Sequence, residues 1–217
     1  FVRYADDFVI TTNSQEIAYE IIEVVKTFLE PRGLKLSEEK TLVTNVSEGF
    51  DFLGWNFRKY NGKLLIKPSK DSQRSVINKI SEVIHKAKAW DQGRLIRMLN
   101  PIIRGWAQYH DTAVSSAVFS KLDDVVYNML VSWAKRRHTG KGVFWALTKY
   151  WHKVGDRNYV FCTDSQTLER FSNTKIIRHR HAKLDKNPYS DKEYFERWKV
   201  IEYHRKNRIR TPNSVLN

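Results

Sequence analysis

The sequence predicts an α+β chain in three parts: antiparallel hairpins and a helix over residues 1–69, a three-helix bundle over 70–140, and a small basic region over 141–217. Three observations carry this reading. Apolar residues recur with a period of two before Pro68 and a period near 3.6 after it. Turn signals at Ala5-Asp6-Asp7 and Asn61-Gly62 each lie between β-prone runs. Charge divides at the same place: residues 1–70 hold 10 Lys+Arg and 10 Asp+Glu, while residues 71–217 hold 28 and 14, so the whole net charge of +14 belongs to the second part.

A content of 41% hydrophobic residues is enough for a sizeable core. No apolar run approaches the roughly 18 residues of a membrane span, and no charged-then-apolar leader opens the chain, so a membrane or secreted protein is not expected. Cys162 is the single cysteine, which excludes an internal disulfide and fits a reducing compartment. The first residue, Phe1, reads as part of a strand, so the expectation is a piece of a larger domain. A basic surface can serve an acidic membrane or solubility alone, but seven Trp among 13% aromatic residues offer stacking partners and favour nucleic acid.

Phe1–Tyr4 and Phe8–Thr12 read as the arms of a hairpin whose tight turn presents the adjacent carboxylates of Asp6 and Asp7. Such a pair suits a hard divalent cation, which takes one or two carboxylates besides water and phosphate oxygens. Asp is also a common turn former, so a purely structural turn stays open. Asn13-Ser-Gln-Glu16 resembles a capping box, and Ile17, Ile21, Val24, Val25 and Phe28 recur at helical spacing up to Pro31-Arg32-Gly33. This helix is expected to lay one face on the sheet. A polar turn at Ser37-Glu-Glu-Lys40 precedes an expected strand at 41–46. Residues 50–60 alternate as one strand, with Gly54 inside it as a point of close approach, and residues 63–67 return after Asn61-Gly62.

Beyond Pro68 three apolar stripes follow: Val76, Ile80, Val83, Ile84 and Ala87; Leu95, Leu99, Ile102, Ile103 and Trp106; Val118, Leu122, Val125, Val126, Met129 and Trp133. They predict a bundle, with Pro101 kinking or restarting the second helix. The opposite faces carry Arg74, Lys79, Lys86, Lys88, Arg97 and Arg104, and Lys135, Arg136, Arg137 and Lys141 close the third helix in a basic patch. After Gly142 the pattern loosens. Residues 174–183 read as a basic strand with Arg178 and Arg180 on one face and His179 and His181 on the other. A zinc reading of that His pair is disfavoured, because a structural site needs four ligands and Cys162 is the one thiol. An aromatic-basic helix is expected at about 190–205, and the end of the chain, 209–217, reads as disordered.

Tyr4-Ala5-Asp6-Asp7 between two apolar strands resembles the catalytic hairpin of reverse transcriptases in the form used by group II intron-encoded reverse transcriptase/maturases. Gly33-Leu-Lys-Leu-Ser-Glu-Glu-Lys-Thr41, Gly49-Phe-Asp-Phe-Leu-Gly-Trp55 and Leu99-Asn-Pro-Ile-Ile-Arg-Gly-Trp106 resemble later blocks of that family, in its order. The resemblance implies that residues 1–69 are the end of a palm, 70–140 the thumb or maturase domain X, and 141–217 the start of a DNA- or RNA-binding region. It implies catalytic and Mg2+-binding roles for Asp6 and Asp7 in a two-metal site incomplete in this chain, and a primer grip at Leu53, Gly54 and Trp55. Nucleic-acid contacts are expected from Lys40, Lys59, Lys63, Lys67, Arg74, Lys79, Lys86, Arg97, Arg104, Lys135, Arg136, Arg137, Lys141, Arg178 and Arg180. The implied partners are intron RNA, template-primer and a DNA target, with a separate N-terminal half completing the polymerase. The family's third metal-binding aspartate and its nucleotide-gripping fingers precede the hairpin, so the chain alone is expected to be inactive as a polymerase. A stand-alone RNA-binding splicing module is the alternative, and no endonuclease is inferred.

Overall fold

The structure, a computed structural model, describes residues 1–177, 182, 183 and 185–207. It mixes helices with small antiparallel sheets and divides into two compact units, Phe1–Ser69 and Lys70–Asn217.

In the first unit, β1 (Val2–Tyr4) pairs with β2 (Asp7–Val9), and Tyr4 faces Asp7 across the turn. Asp7 therefore opens a strand, and the turn proper is Ala5-Asp6. Helix α1 (Gln15–Leu29) is capped by Ser14, whose hydroxyl accepts the Ile17 N–H, rather than by Asn13. A 3-10 turn then closes on Gly33 at φ +69, a backbone region that suits glycine. The expected docking of α1 on a sheet is not seen: none of its residues is buried, and Val24 and Phe28 remain 67% and 58% exposed. A hairpin with three residues per strand is too small to cover a helix of 15.

The expected strand at 41–46 is likewise absent. The Thr41 N–H donates back to Ser37 O, and the Asn45 side chain takes the Ser47 N–H at 2.9 Å, so the segment is folded into local turns. The run at 50–60 forms two strands, not one. β3 (Phe50–Phe52) turns at Leu53-Gly54 into β4 (Trp55–Tyr60), which turns again at Asn61-Gly62 into β5 (Lys63–Pro68). Both central residues of each two-residue turn have positive φ, +49 and +77, then +46 and +81, as hairpins with native twist require. Asn-Gly announces such a turn in sequence, whereas Leu-Gly does not.

The second unit is built on α2 (Lys70–Lys86), α3 (Gln92–Tyr109) and α4 (Ser116–Arg137). Val76, Ile80, Ile84, Leu95, Leu99, Ile103, Leu122, Val126 and Trp133 from the three stripes are buried together. Helix α3 continues through Pro101 without a break, and the preceding Asn100 side chain is occupied elsewhere, donating to Thr167 O at 3.0 Å and accepting the Glu169 N–H at 2.9 Å. The same core takes in α5 (Val143–Tyr150), the hairpin β6 (Trp151–Val154) and β7 (Arg157–Phe161), and the 3-10 turn Phe171–Asn173. Gln92 reaches Tyr150 O at 2.8 Å, and the Trp133 indole donates to Ala87 O at 2.9 Å. Helix α6 (Lys192–Asn207) has no buried residue and carries the ion pairs Arg197–Glu193, Lys199–Glu196 and Arg205–Glu202. The basic strand expected at 174–183 is not formed over 174–177, and Arg178, His179, Arg180 and His181 lie outside the described residues, as does the stretch 208–217.

A part-buried polar knot around the buried His110 ties α2 to α3. The Trp106 indole donates to Ser72 Oγ at 3.0 Å, and Ser72 Oγ lies 3.0 Å from His110 Nε2. Burial pushes the His110 imidazole down to about 4. The folded state thus holds it neutral while the unfolded chain protonates near pH 6.5, so the unfolded state binds more protons as pH falls. Stability is expected to decline from about pH 6.5 towards 4, on the order of 2 kcal/mol after solvent screening. Urea midpoints measured across that range should show the decline, and it should flatten in His110→Gln.

Candidate nucleic-acid interface

The two turns singled out in the first unit share a backbone feature. Ala5 and Leu53 hold φ of +52 and +49 although neither is Gly or Asn, and Tyr159 in the β6–β7 hairpin at +58 is the other such residue among those described. A left-handed conformation costs an ordinary L-residue about 1–2 kcal/mol, so neighbouring structure must hold it. At Ala5 the Arg3 side chain donates to the carbonyl at 2.6 Å. At the Leu53-Gly54 turn the Ser69 N–H donates to Gly54 O at 2.9 Å, which fastens the turn to the end of β5.

Asp6 and Asp7 are exposed on the first hairpin. As a pair of adjacent carboxylates they fit part of a Mg2+ donor set, but no group of three or more His, Cys, Asp or Glu gathers for a metal among the described residues. The meander behind Leu53-Gly54 is stiffened by Phe50 stacked on Phe57, with ring centroids 5.3 Å apart, and by Arg58, whose side chain packs under Gly49 and donates to Ser47 O at 2.9 Å. Lys59 and Lys63 are exposed, whereas Lys67 is half-buried with Nζ 4.8 Å from the Tyr60 ring centroid. Lys40 is exposed on the turn after Ser37.

In the second unit the basic residues sort by what they touch. Lys79 and Lys86 stand exposed on α2, and Lys135 and Arg136 on the last turn of α4. Arg74 pairs with Asp71 on the helix surface at 3.1 Å. Arg97 lies beside Gln166, whose amide can bridge it to Gly93 O. Arg104 forks onto the Glu169 carboxylate, which holds its guanidinium above the usual range. Arg137 is half-buried over the Trp133 ring and donates to Lys88 O at 2.7 Å. Lys141 lies 5.7 Å from the Trp145 ring. Burial, then the charges of Lys149, Arg137 and Lys141, hold the nearby His138 imidazole below its usual range.

One buried acid escaped the sequence reading. Asp123 is buried on α4, and its carboxylate accepts the Phe171 N–H at 2.8 Å, the Ser172 N–H at 3.2 Å and Arg170 Nε at 3.2 Å. Its signal was available, since a lone acid sits in the buried stripe Phe119, Leu122, Val126 and Leu130. Phe144 and Trp145, residues after Gly142 to which sequence assigns no role, are exposed on α5.

Comparison with known proteins gives two family matches in chain order. Residues 1–57 match the reverse transcriptase (RNA-dependent DNA polymerase) family, and residues 73–151 match the group II intron maturase-specific domain. The chain is similar to a maturase-like protein 1 of Euglena longa, 26% identical over 133 residues that make up 59% of this chain and 27% of the relative. It is also similar to the group II intron-encoded protein LtrA of Lactococcus lactis, 35% identical over 86 residues, 39% of this chain and 14% of the relative. The chain thus spans about a quarter or less of the length of these relatives. No helix among the described residues is long and apolar enough to cross a membrane.

Proposed function

Because this chain belongs to the group II intron reverse transcriptase and maturase family, we propose that its helical unit binds intron RNA and assists splicing, while its first unit contributes to an RNA-directed DNA polymerase centre. The observation that carries the reading is the in-order match of a reverse transcriptase segment and a maturase domain to a chain whose basic excess falls wholly after residue 70. In this reading residues 1–69 are the end of a palm and the α2–α4 bundle is a thumb.

The exposed cations Lys79, Lys86, Lys135, Arg136 and Lys141 contact RNA phosphates, which basic helix faces do without reading sequence. Arg104 and Arg137 serve the fold instead. Asp6 and Asp7 would hold Mg2+, with the remaining donors supplied from outside these residues. Bound there, Mg2+ stabilises charge in phosphoryl transfer. Ala5 lies under the primer end, and the strained Leu53-Gly54 turn with Trp55 positions the primer's terminal nucleotide. A bacterial cytoplasm or an organelle suits a chain whose cysteine is a buried free thiol. A second reading, an RNA-binding splicing module that keeps the two aspartates as remnants, draws on the maturase-specific match at residues 73–151, which lies in the helical unit alone.

The test is binding of a group II intron RNA by the wild-type chain, by Asp6→Asn/Asp7→Asn and by Lys79→Gln/Lys86→Gln/Lys135→Gln. The aspartate pair should leave affinity unchanged, and the lysine triple should weaken it by at least about tenfold at physiological salt. Equal affinity of the triple variant and wild type would overturn the assignment of these faces.

A further inference from the structure

We propose that α5 carries a stacking site for an unpaired base of single-stranded RNA, with Phe144 as the platform. The inference rests on the RNA-binding reading above and deepens it by naming the form of RNA that this surface takes.

Phe144 is 78% exposed in the first turn of a helix whose other face, through Ala146 and Tyr150, is anchored in the core. With Val143 and Trp145, each more than a third exposed, it forms a contiguous apolar patch on a packed element, the kind of surface that marks a binding site. Its neighbour Trp145 is 38% exposed and is steadied edge-on by His138, with centroids 4.7 Å apart. Cations flank these rings: Lys141 Nζ lies 5.7 Å and Lys149 Nζ 5.1 Å from the Trp145 ring. Within α5 the four-residue spacing sets Lys149 beside Trp145, and Lys141 stands just before the N-cap Gly142.

Charge settles which partner this surface fits. From Val125 to Gly155 the chain has no Asp or Glu and six Lys or Arg. A hydrophobic protein partner would find a cationic rim around one ring. A duplex offers phosphates but keeps its bases stacked inside. A single strand offers both phosphates for Lys141 and Lys149 and a free base face for Phe144, which is how sequence-tolerant single-strand sites are built.

The experiment measures binding of the wild-type chain, Phe144→Ala, Phe144→Tyr and Lys141→Gln/Lys149→Gln to a single-stranded RNA dodecamer and to an A-form RNA duplex of equal length. Phe144→Ala is expected to weaken single-strand binding on the order of tenfold while leaving duplex binding within about twofold. Phe144→Tyr should keep wild-type affinity because it keeps a ring. The lysine pair should weaken single-strand binding and lower its salt dependence. Unchanged single-strand binding by Phe144→Ala, or an equal loss on both RNAs, would overturn the site. Displacement of the single strand by polyglutamate as readily as by RNA would show a site for acidic peptides instead. A wild-type chain that binds duplex but no single strand refutes this inference alone, whereas one that binds neither refutes the RNA-binding reading as well.

Discussion

Asp6→Asn, introduced into this chain and assayed with a segment supplying the rest of a reverse transcriptase domain, is expected to lower Mg2+-dependent primer extension by more than about a hundredfold. Replacing a group that merely orients a metal ligand costs about 10- to 100-fold, so removing a direct carboxylate ligand costs at least as much. Asp7→Asn should behave alike, and the 217 residues assayed alone are expected to extend nothing, because two carboxylates are part of a two-metal donor set and not the whole of it. Extension by the chain alone, or an Asp6→Asn mixture as active as wild type, would contradict the role given to the turn. The hairpin should survive either change, because both side chains are exposed and Tyr4 pairs with Asp7 through the backbone.

Asp123→Ala is expected to give the largest loss of stability. The carboxylate takes two backbone N–H groups of the Phe171–Asn173 turn and the Arg170 side chain, so its removal leaves a buried donor at Phe171 unanswered. Phe171 itself is fully buried against Trp106 and Phe119, and loosening its turn loosens the junction of α3 and α4. The cost is about 3 kcal/mol, a fall in Tm on the order of 8 °C by circular dichroism. Asp123→Asn keeps an acceptor and should lose less. A change below about 1 kcal/mol in the Ala variant would mean that the turn is held by its apolar contacts alone.

These residues mark where the sequence was readable. The bundle was legible because burial on a helix leaves a 3.6-residue trace, and the stripes from Val76 to Trp133 are the core that formed. The Asn61-Gly62 turn was legible because its side-chain chemistry demands positive φ, while the Leu53-Gly54 turn was hidden inside an alternating run. Thr41–Val46 has the composition of a strand yet folds on the local bonds of Ser37 and Asn45, which no pattern of apolar residues encodes. Site residues were legible as types and not as partners. Sequence shows that Arg104 is basic; only the fold shows that Glu169, 65 positions on, pairs with it. The block from Leu99 to Trp106 thus has a structural explanation through Asn100, Arg104 and Trp106.

Lysines that grip intron RNA through its phosphates make binding depend on salt in proportion to their number. Affinity for the group II intron RNA should be measured across a salt series with wild type and with Lys79→Gln/Lys86→Gln/Lys135→Gln. Each lost phosphate contact removes about 0.7–0.9 from the slope of log affinity against log salt, so the triple variant's slope should be shallower by about two to three. An identical slope in the two proteins would contradict the account, because those lysines would then face solvent in the complex.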